Sequence, residues 1–515
     1  MTDGTGTTTY AYVPVGTPGA LQLQQESSPL TSSAITSAYD ALSRLNSRTV
    51  AGAGAETFAY DPIGRVTTHA NDLGSFTLTY LGQTGQIAGR ALASSTLATS
   101  WSYLTNTNDR RLSGISNVGL TSGQYSTFAY TTTPENFIGG ITETSDATAV
   151  YPVAGTQTAT YNNLNQLTNL SGSAQTFDAV GNLTSDSQRS YTWDAENRLV
   201  GITYPGVSGK ATAFTYDDLG RRVTIASTPP GGGSATTTSY LWCGDTICQA
   251  RNASNTTTRS YYGEGEFVPG TPNQPYYYGV DQIGSVRRAF ASTSSAPAYS
   301  YDVYGVPLQA TAPVTDFVYG GMFYNADSGL YLTNYRAYDP IAGRWLSRDP
   351  FEEQSDPLAN LYPYAAGNPV NLVDPYGTNP GAVVGGIAGT FVAPGVGTVV
   401  GVVIGTAVTV WVLNKIGNAI YAKPPADASD PNGAKAPGKP GAAEGFADPK
   451  GGENWVPNPN PGRGGSSHGW EDDKGRVWCP TGWGGRAHGK PHWDVQDPKN
   501  RGNTNVRPGQ NINDL

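Results

Sequence analysis

A short pattern of aromatic, polar and aliphatic positions recurs along most of the chain. An aromatic residue is followed by Asp or Asn, a few residues rich in Gly or Asn, then Arg or Gln and an aliphatic residue. Copies begin at Tyr39, Tyr60, Tyr161, Phe177, Trp193, Tyr216, Tyr301 and Tyr338. The pattern predicts a strand end, a tight turn that needs positive φ, and a second strand. Because one hairpin cannot bury its own face, we expect the copies to stack as an extended antiparallel sheet.

The composition agrees with a chain of many short strands. The 515 residues are enough for several domains, or for one large repeat array with additions. Only 14 % of the residues are charged, whereas Gly numbers 65 and Pro 36, which argues against a helical protein. The net charge of −9 gives no reason to expect nucleic-acid binding over the whole surface, and the 10 % aromatic content argues against disorder.

The cysteines and the first residues carry weaker signals. Cys243, Cys248 and Cys479 make no disulfide framework, and because Cys-x4-Cys is a weak pairing signal we predict unpaired thiols. Residues 1–30 are polar and lack a basic start, so they predict no secretory signal peptide. The chain starts without a cap or lead-in, and we expect it to be the C-terminal part of a longer ancestral product.

Two further stretches extend the repeat pattern, "YYGVDQIGSVRRAF" (277–290) and "GLYLTNYRAYDPIAGRWLSRDP" (329–350). Together with the repeats they resemble the YD-repeat, or Rhs, family. The resemblance implies a mainly β fold in which an antiparallel sheet spirals into a shell around a C-terminal cargo. The copies here are too few for a whole shell, so a partial shell is expected. The expected segments are an irregular lead-in (1–34), the repeat shell (35–328), a core-associated segment (329–378), an apolar Gly-rich segment (379–422), a linker (423–452) and a small α+β domain (453–515).

The end of the core-associated segment resembles the point at which the family closes its shell, Pro-x4-Asp-Pro-x-Gly-Leu. Pro369, Asp374, Pro375 and Gly377 match this motif, and Thr378 stands in place of Leu. Family members cut themselves there as aspartic proteases, which implies cleavage just after Thr378.

Two carboxylates that share one proton can do this chemistry, since one activates water and the other protonates the leaving amine. Asp349 and Asp374 are the available pair, with Arg348 as a plausible charge partner. The alternative is that both aspartates only form Asp-Pro turns.

Residues 381–413 carry no charge, and Gly recurs there at intervals of four. Such spacing lets apolar helices approach closely in a membrane, and the length exceeds the ~20 residues that span a bilayer. Three interpretations stay open: a hairpin that enters a target-cell membrane during delivery, a permanent anchor, or apolar packing inside the shell. The Pro-, Ala- and Gly-rich residues 423–452 predict a flexible tether.

The last 63 residues hold three of the four histidines and five of the ten tryptophans. In "HWDVQ" (492–496), the period of two places His492, Asp494 and Gln496 on one face and Trp493 and Val495 on the other. An imidazole can deprotonate a ribose 2′-OH and protonate the 5′-oxygen, because its pKa lies near neutral. The predicted catalytic residues are His492, His488, Asp494, Arg486 and Gln496, and the predicted substrate-binding residues are Lys490, Arg501 and Arg507.

Two other interpretations of the histidines stay open. One is a metal site formed by His468, His488 and His492, and the other is a purely structural His-Asp pair. The segment also resembles the type 37 polymorphic-toxin domain, a predicted ribonuclease family. The matching stretches are "SSHGW" (466–470), "GRVWCPTG" (475–482), "GGRAHGKPHWDVQDP" (484–498) and "NVRPGQNI" (505–512).

The working hypothesis is therefore an Rhs toxin fragment for competition between bacteria, with a metal-independent ribonuclease tail and no cofactor. It is made in the bacterial cytoplasm and then secreted or delivered into target cells, by a secretion apparatus that the sequence does not identify. Its expected partners are RNA, a target-cell membrane and a cognate immunity protein whose surface is acidic if it covers the basic face of the tail. The alternatives are a YD-repeat binding or adhesion protein with an inert tail, and a pore-former acting through 381–413.

Overall fold

The structure is a computed structural model. It describes residues 1–133, 137–148, 150–292, 297–309, 312–350, 360–378, 381–382, 430, 436–448, 454–457, 468–481, 490–497 and 502–514. The chain forms two compact units, Met1–Ala407 and Val408–Leu515. Regular structure in the described residues of both units is antiparallel β-sheet with short 3-10 helices, which confirms the predicted mainly β fold.

The first large sheet has twelve strands in sequence order, each hydrogen-bonded to the next. A small hairpin, β1 (Thr2–Asp3) and β2 (Gly6–Thr7), precedes it. The strands are β3 (Thr9–Tyr12), β4 (Leu23–Ser27), β5 (Ile35–Tyr39), β6 (Leu45–Val50), β7 (Ala55–Tyr60), β8 (Val66–Asn71), β9 (Gly74–Tyr80), β10 (Ile87–Leu92), β11 (Ala98–Tyr103), β12 (Leu112–Val118), β13 (Tyr125–Thr132) and β14 (Ile138–Ser145). The expected irregular lead-in is therefore wrong, because residues 1–34 supply β1–β4.

The second large sheet repeats this arrangement. The three-stranded sheet β15 (Ala159–Tyr161), β16 (Leu167–Leu170) and β17 (Ser173–Ala174) precedes it. Its twelve strands are β18 (Thr176–Phe177), β19 (Leu183–Ser185), β20 (Ser190–Trp193), β21 (Leu199–Thr203), β22 (Ala211–Tyr216), β23 (Arg222–Thr228), β24 (Thr236–Cys243), β25 (Thr246–Arg251), β26 (Thr257–Tyr262), β27 (Gly265–Val268), β28 (Gln274–Val280) and β29 (Val286–Phe290). Among the described residues of this unit, 3-10 helices lie at Asn106–Asn108, Tyr319–Gly321 and Tyr364–Gly367.

The contacts of one repeat explain its sequence. Asp40 follows β5 and accepts hydrogen bonds from the backbone N–H groups of Leu42 and Arg44, both at 2.9 Å. The Arg44 side chain pairs with the same carboxylate at 2.7 Å and lies 4.4 Å from the ring centroid of Tyr60 in the next repeat. The Tyr60 hydroxyl donates back to the Leu45 carbonyl at 2.6 Å. The aromatic, acidic, basic and aliphatic positions of the repeat therefore each take part in at least one contact of the turn.

The turns need positive φ, as predicted. In the repeat at Tyr60, Gly64 has φ of 89° and supplies the left-handed residue at no steric cost. In the preceding repeat Ser43 occupies the same position with φ of 60°. The turn is therefore held strongly enough by its aspartate to tolerate a residue other than Gly.

The two large sheets pack on each other through apolar and charged contacts. Phe76 of the first sheet and Tyr277 and Phe290 of the second belong to one buried cluster. Nearby, the His69 ring of β8 lies between Glu56 and Glu264, and all three are buried.

The prediction of unpaired thiols at Cys243 and Cys248 is wrong. They form a disulfide across the β24–β25 hairpin, with their Cα atoms 5.7 Å apart, within the usual range for a disulfide. The sequence spacing misses this pairing because the turn folds the two strands onto each other. Cys479 is free and buried.

The aromatic stretch that ends the repeats forms the four-stranded sheet β30 (Phe323–Asn325), β31 (Leu330–Leu332), β32 (Ala337–Asp339) and β33 (Arg344–Trp345). Tyr331, Tyr338 and Tyr364 are fully buried there, and the last two have ring centroids 4.4 Å apart. The chain then forms the hairpin β34 (Leu372–Val373) and β35 (Gly381–Ala382). The closely spaced aromatic residues of the sequence thus form the buried core of this segment.

The second unit contains a five-stranded antiparallel sheet, with 3-10 helices at Ala442–Glu444 and Ile512–Asp514. Its strands are β36 (Asn454–Pro457), β37 (His468–Glu471), β38 (Val477–Pro480), β39 (Trp493–Asp497) and β40 (Gly502–Val506). Phe446 is buried among the tryptophans of this sheet, and the Trp493 indole N–H donates to the Gly438 carbonyl at 2.8 Å. The predicted linker 423–452 is therefore too long, because these contacts hold its second half on the sheet.

The apolar Gly-rich segment lies almost wholly outside the described residues, which include only Gly381 and Ala382 of it. The membrane, anchor and pore interpretations of 381–413 therefore fall outside the described part of the chain. Within that part, no helix has the length and apolar character needed to cross a membrane.

Candidate functional sites

A buried arginine joins the two aspartates of the predicted cleavage junction. One terminal nitrogen of Arg336 lies 2.8 Å from the Asp349 carboxylate and 2.9 Å from the Asp374 carboxylate. All three side chains are at most 3 % exposed. Arg336, which the sequence does not single out, is therefore a charge partner of both aspartates. The aliphatic part of the predicted partner Arg348 lies against Gly181, and its role stays a prediction.

The loop after Asp374 wraps around its carboxylate. Asp374 Oδ1 accepts the backbone N–H groups of Gly377 at 2.8 Å and of Thr378 at 2.9 Å. Arg336 Nε donates to the Gly377 carbonyl at 2.5 Å. Gly377 has φ of 78°, and a Cβ there would lie 2.4 Å from the Thr333 hydroxyl, so no other residue fits. The structure thus holds Thr378 beside the aspartate pair.

The electrostatics of this site favour a carboxyl group that can hold a proton. Burial raises the pKa of Asp374 above its usual value, and the neighbouring Asp349 raises it further. Arg336 and the backbone N–H groups of Gly377 and Thr378 oppose that rise. One neutral and one charged carboxyl group beside a single cation can supply an acid and a base together.

An arginine between two acids is not by itself a catalytic signature in this chain. Arg189 contacts Asp186 and Asp339, and Arg259 contacts Glu266 and Asp316. These groups join separate strands and turns of the shell. Asp186 and Glu266 also accept backbone N–H groups, as Asp374 does, so the junction differs in the place of its loop, where cleavage is predicted.

In the second unit, His492 and Asp494 lie together on the face of β39 opposite its tryptophan. His492 Nε2 is 3.4 Å from Asp494 Oδ1, and His492 Nδ1 is 3.1 Å from the Lys490 carbonyl oxygen. Thr481 fixes the backbone of His492 by hydrogen bonds in both directions at 3.0 Å. Trp493 and Val495 belong to the tryptophan core on the other face, as the alternation predicts.

The polar face of β39 is buried as well as its apolar face. His492 is 2 % exposed, Asp494 3 % and Gln496 1 %. Cys479 lies opposite Asp494 on β38, and burial together with that carboxylate raises the pKa of its thiol to about 12. Cys479 therefore remains a neutral thiol near pH 7, which argues against a nucleophilic role.

The remaining predicted residues of this site divide into two groups. Lys490 and Arg507 are exposed, and Arg507 follows β40, the strand paired with β39. Arg486, His488 and Arg501 lie outside the described residues.

A metal site built on His468 and His492 receives no support from the strand geometry. His468 shares the face of β37 that carries Trp470, whereas His492 contacts Asp494 on the other side of the sheet. In the described part of the chain, no group of three or more His, Cys, Asp or Glu side chains is arranged to hold a metal ion.

Comparison with protein families agrees with both units. Residues 434–510 match the family described as Bacterial toxin 37, and residues 152–370 match the family described as Teneurin YD-shell. Over these two segments the chain is similar to Rhs/YD-repeat polymorphic toxins. The toxin 37 match includes 436–448, the residues that pack on the five-stranded sheet.

The curated relatives that the chain matches are much longer than the chain. The chain is 36 % identical over 234 residues to the tRNA3(Ser)-specific nuclease WapA of Bacillus spizizenii, a match that covers 43 % of this chain and 10 % of the relative. It is 28 % identical over 264 residues to toxin protein Tse5 of Pseudomonas aeruginosa, which covers 41 % of this chain and 19 % of the relative. Both matches are longer than the toxin 37 segment, so most of each lies outside the tail.

One solved structure to which the chain is similar is the crystal structure of TcdB2-TccC3-TEV. It matches 73 % of this chain and 24 % of that chain, with a TM-score of 0.54 and 19 % sequence identity. At this identity the likeness shows the fold alone.

Proposed function

We propose that the toxin 37 tail is a metal-independent ribonuclease in which His492 transfers protons. The observation that carries the proposal is the buried contact of His492 with Asp494 in a segment that matches a bacterial toxin family. A relative that is named a tRNA nuclease and another that is named a toxin add support from outside the tail.

The proposed mechanism is transphosphorylation. In this mechanism the Nδ1–H group of His492 donates a hydrogen bond to the Lys490 carbonyl. His492 Nε2 and the Asp494 carboxylate are then the two groups that can transfer protons. The imidazole takes the ribose 2′-OH proton as the oxygen attacks phosphorus, and the 5′-oxygen receives a proton as it leaves. The cations of Lys490 and Arg507, with Arg486 and Arg501 as further candidates, neutralise charge on the phosphorane. His488 and Gln496 are candidates for supporting the acid side and positioning the substrate.

The test is digestion of total RNA by the full chain in EDTA. His492→Ala should lower the rate by ~10²–10⁴-fold, the usual contribution of a general acid or base. His468→Ala is the matched control, since that ring lies on the tryptophan face, and it should leave the rate unchanged. The wild-type products should carry 2′,3′-cyclic phosphate ends. Undiminished cleavage by a folded His492→Ala chain would contradict the proposal.

We further propose that the aspartate pair cuts the chain after Thr378 and so separates the tail from the shell. The proposal rests on the buried contacts among Arg336, Asp349 and Asp374, and on the hydrogen bond from the Thr378 N–H to Asp374. Asp349 or Asp374 activates water while the other protonates the leaving amine, and Arg336 holds both in place.

Intact-mass measurement of the purified chain tests this step. The wild type should give two fragments that meet at Thr378–Asn379, and Asp374→Asn should give one full-length species. Asp61→Asn, a change in an ordinary repeat turn, is the matched control and should cut like the wild type. A single full-length wild-type species would refute self-cleavage.

The proposed biological role is delivery into competing bacteria, with the producer protected by an immunity protein. The relative named a toxin supports this role, and the partial shell supports a cargo-carrying part. Expression of the chain with and without the gene downstream, compared by growth, tests it. Equal toxicity in both strains would argue against an immunity partner encoded there.

A further inference from the structure

The first unit contains a cavity of about 150 Å³ between the second large sheet and the segment that follows it. Its apolar lining includes Trp242, Ile247, Tyr261, Phe317, Met322 and Leu332. An apolar cavity of about this volume can hold one benzene ring. Ligand sites in proteins are typically of this kind, with apolar walls and a few polar groups that orient the ligand.

The polar group in this cavity that matters most is Arg222, at the start of β23. Its side chain is 3 % exposed. One terminal nitrogen donates to the Thr333 carbonyl at 3.3 Å, whereas Nε has no hydrogen-bond partner. The guanidinium carbon lies 5.3 Å from the centroid of the Phe323 ring. At least one N–H donor of this guanidinium is therefore left without a protein acceptor.

Arg222 also has no counter-ion among the residues that the structure describes. Arg189, Arg259 and Arg336 each contact two carboxylates. No described carboxylate lies within salt-bridge distance of Arg222, and burial lowers the pKa of its guanidinium below the usual value. Burying a cation without an anion is costly, so a bound anion would stabilise this site.

The walls restrict the kind of anion. A carboxylate matches the planar guanidinium, because it can accept two parallel hydrogen bonds from it. Asp245, which is exposed, lines the same cavity and disfavours ligands with several negative charges. The apolar walls favour a body with no further polar groups.

We propose that this cavity binds a small organic monocarboxylate, a carboxylate on one aromatic ring or a branched aliphatic group, with Arg222 as its counter-ion. The site is separate from the tail and from the aspartate pair, so it does not depend on either proposed activity. Pro375 and Tyr376 belong to its wall, and a bound ligand would therefore pack against the loop that carries Asp374.

Calorimetric titration of the full chain with a matched panel tests the ligand class. Benzoate should bind, benzamide should bind at least tenfold more weakly, and benzylammonium should not bind. Lack of heat with benzoate at about 10 mM, where a Kd of about 1 mM gives near saturation, would overturn the proposal. Equal affinity for benzoate and benzamide would overturn the role of charge.

Two variants locate the site. Arg222→Met keeps the wall of the cavity apolar and should abolish benzoate binding. Arg65→Met changes a repeat-turn arginine away from the cavity and should leave benzoate binding unchanged. If Arg222→Met does not fold, Arg222→Lys retains the charge without the planar fork and should weaken benzoate at least tenfold. Benzoate affinity that is equal in the wild type and a folded Arg222 variant would refute the assignment.

Discussion

His69 Nδ1 lies 2.9 Å from a carboxylate oxygen of Glu264, although the two residues are 195 positions apart in the sequence. This contact joins the two large sheets in a fully buried position, and Glu56 holds the other ring nitrogen at 2.7 Å. Arg48 contacts Glu56, and Arg90 lies close enough to Glu264 to interact electrostatically. At this point the seam, which is the interface between the two large sheets, thus consists of a buried imidazolium between two carboxylates.

The first prediction concerns the pH dependence of this seam. Burial lowers the pKa of His69, but Glu264 and Glu56 outweigh burial and raise it to about 9. The protonated ring therefore stabilises the shell fully below the unfolded pKa of about 6.5, and the stabilisation is lost as pH rises through about 9. The loss should be on the order of 3 kcal/mol, because one pKa unit corresponds to about 1.4 kcal/mol. Urea unfolding between pH 6 and 10, for the wild type and for His69→Gln, measures this loss. If the free energy of unfolding changed equally with pH in both proteins, the prediction would be contradicted.

A second prediction concerns Arg336. Arg336→Met should destabilise the shell unit by about 3–5 kcal/mol, because it leaves two buried carboxylates without their cation. Arg44→Met removes a turn arginine paired with an accessible aspartate and should cost about 1 kcal/mol or less. Thermal unfolding of both variants and of the wild type in the same buffer provides the comparison. Similar melting temperatures for the two variants would show that the buried cation is not needed for stability.

A third prediction concerns the tail core. Trp470 is fully buried and packs edge-on against Trp455, with ring centroids 5.0 Å apart. Trp470→Ala should therefore cost roughly 3–5 kcal/mol and melt the small sheet. Lys474→Ala, on the turn between β37 and β38, serves as the exposed control and should leave the fold intact. Near-ultraviolet circular dichroism of the tail tryptophans distinguishes the two results.

A fourth prediction concerns the tyrosine contacts between repeats. The Tyr80 hydroxyl donates to the Val66 carbonyl at 2.7 Å, and burial raises its pKa to about 12. Tyr80→Phe should cost about 0.5–1.5 kcal/mol, the usual net value of one hydrogen bond. Tyr12→Phe, at a ring that is 59 % exposed, should change the free energy of unfolding by a few tenths of a kcal/mol at most. Equal effects would show that the hydroxyl contributes nothing.

The sequence predicts the hairpins because each turn is determined within a few residues. Asp40 accepts the backbone N–H groups of Leu42 and Arg44, two and four residues later, so the recurring sequence pattern determines the geometry of the turn. The alternation in "HWDVQ" is likewise local, and it places Trp493 and His492 on opposite faces as expected.

Contacts between distant segments are not predictable in this way. Arg336 reaches Asp374 across 38 positions, and only the folded core-associated segment brings these two side chains together. The one available signal is its place just before the last repeat, "NYRAYDP". The burial of the His492 face also escaped prediction, because it depends on what packs over the strand and not on the strand's own pattern.

The tyrosine contacts between repeats all run in one direction. The hydroxyls of Tyr39, Tyr60, Tyr80 and Tyr103 each donate to a carbonyl 14 to 16 residues earlier in the chain. A hairpin that emerges from the ribosome therefore meets its acceptor already synthesised, and no repeat waits for a later one to complete its hydroxyl contact. The hairpins can thus be assembled during translation, one at a time, before the tail has been made.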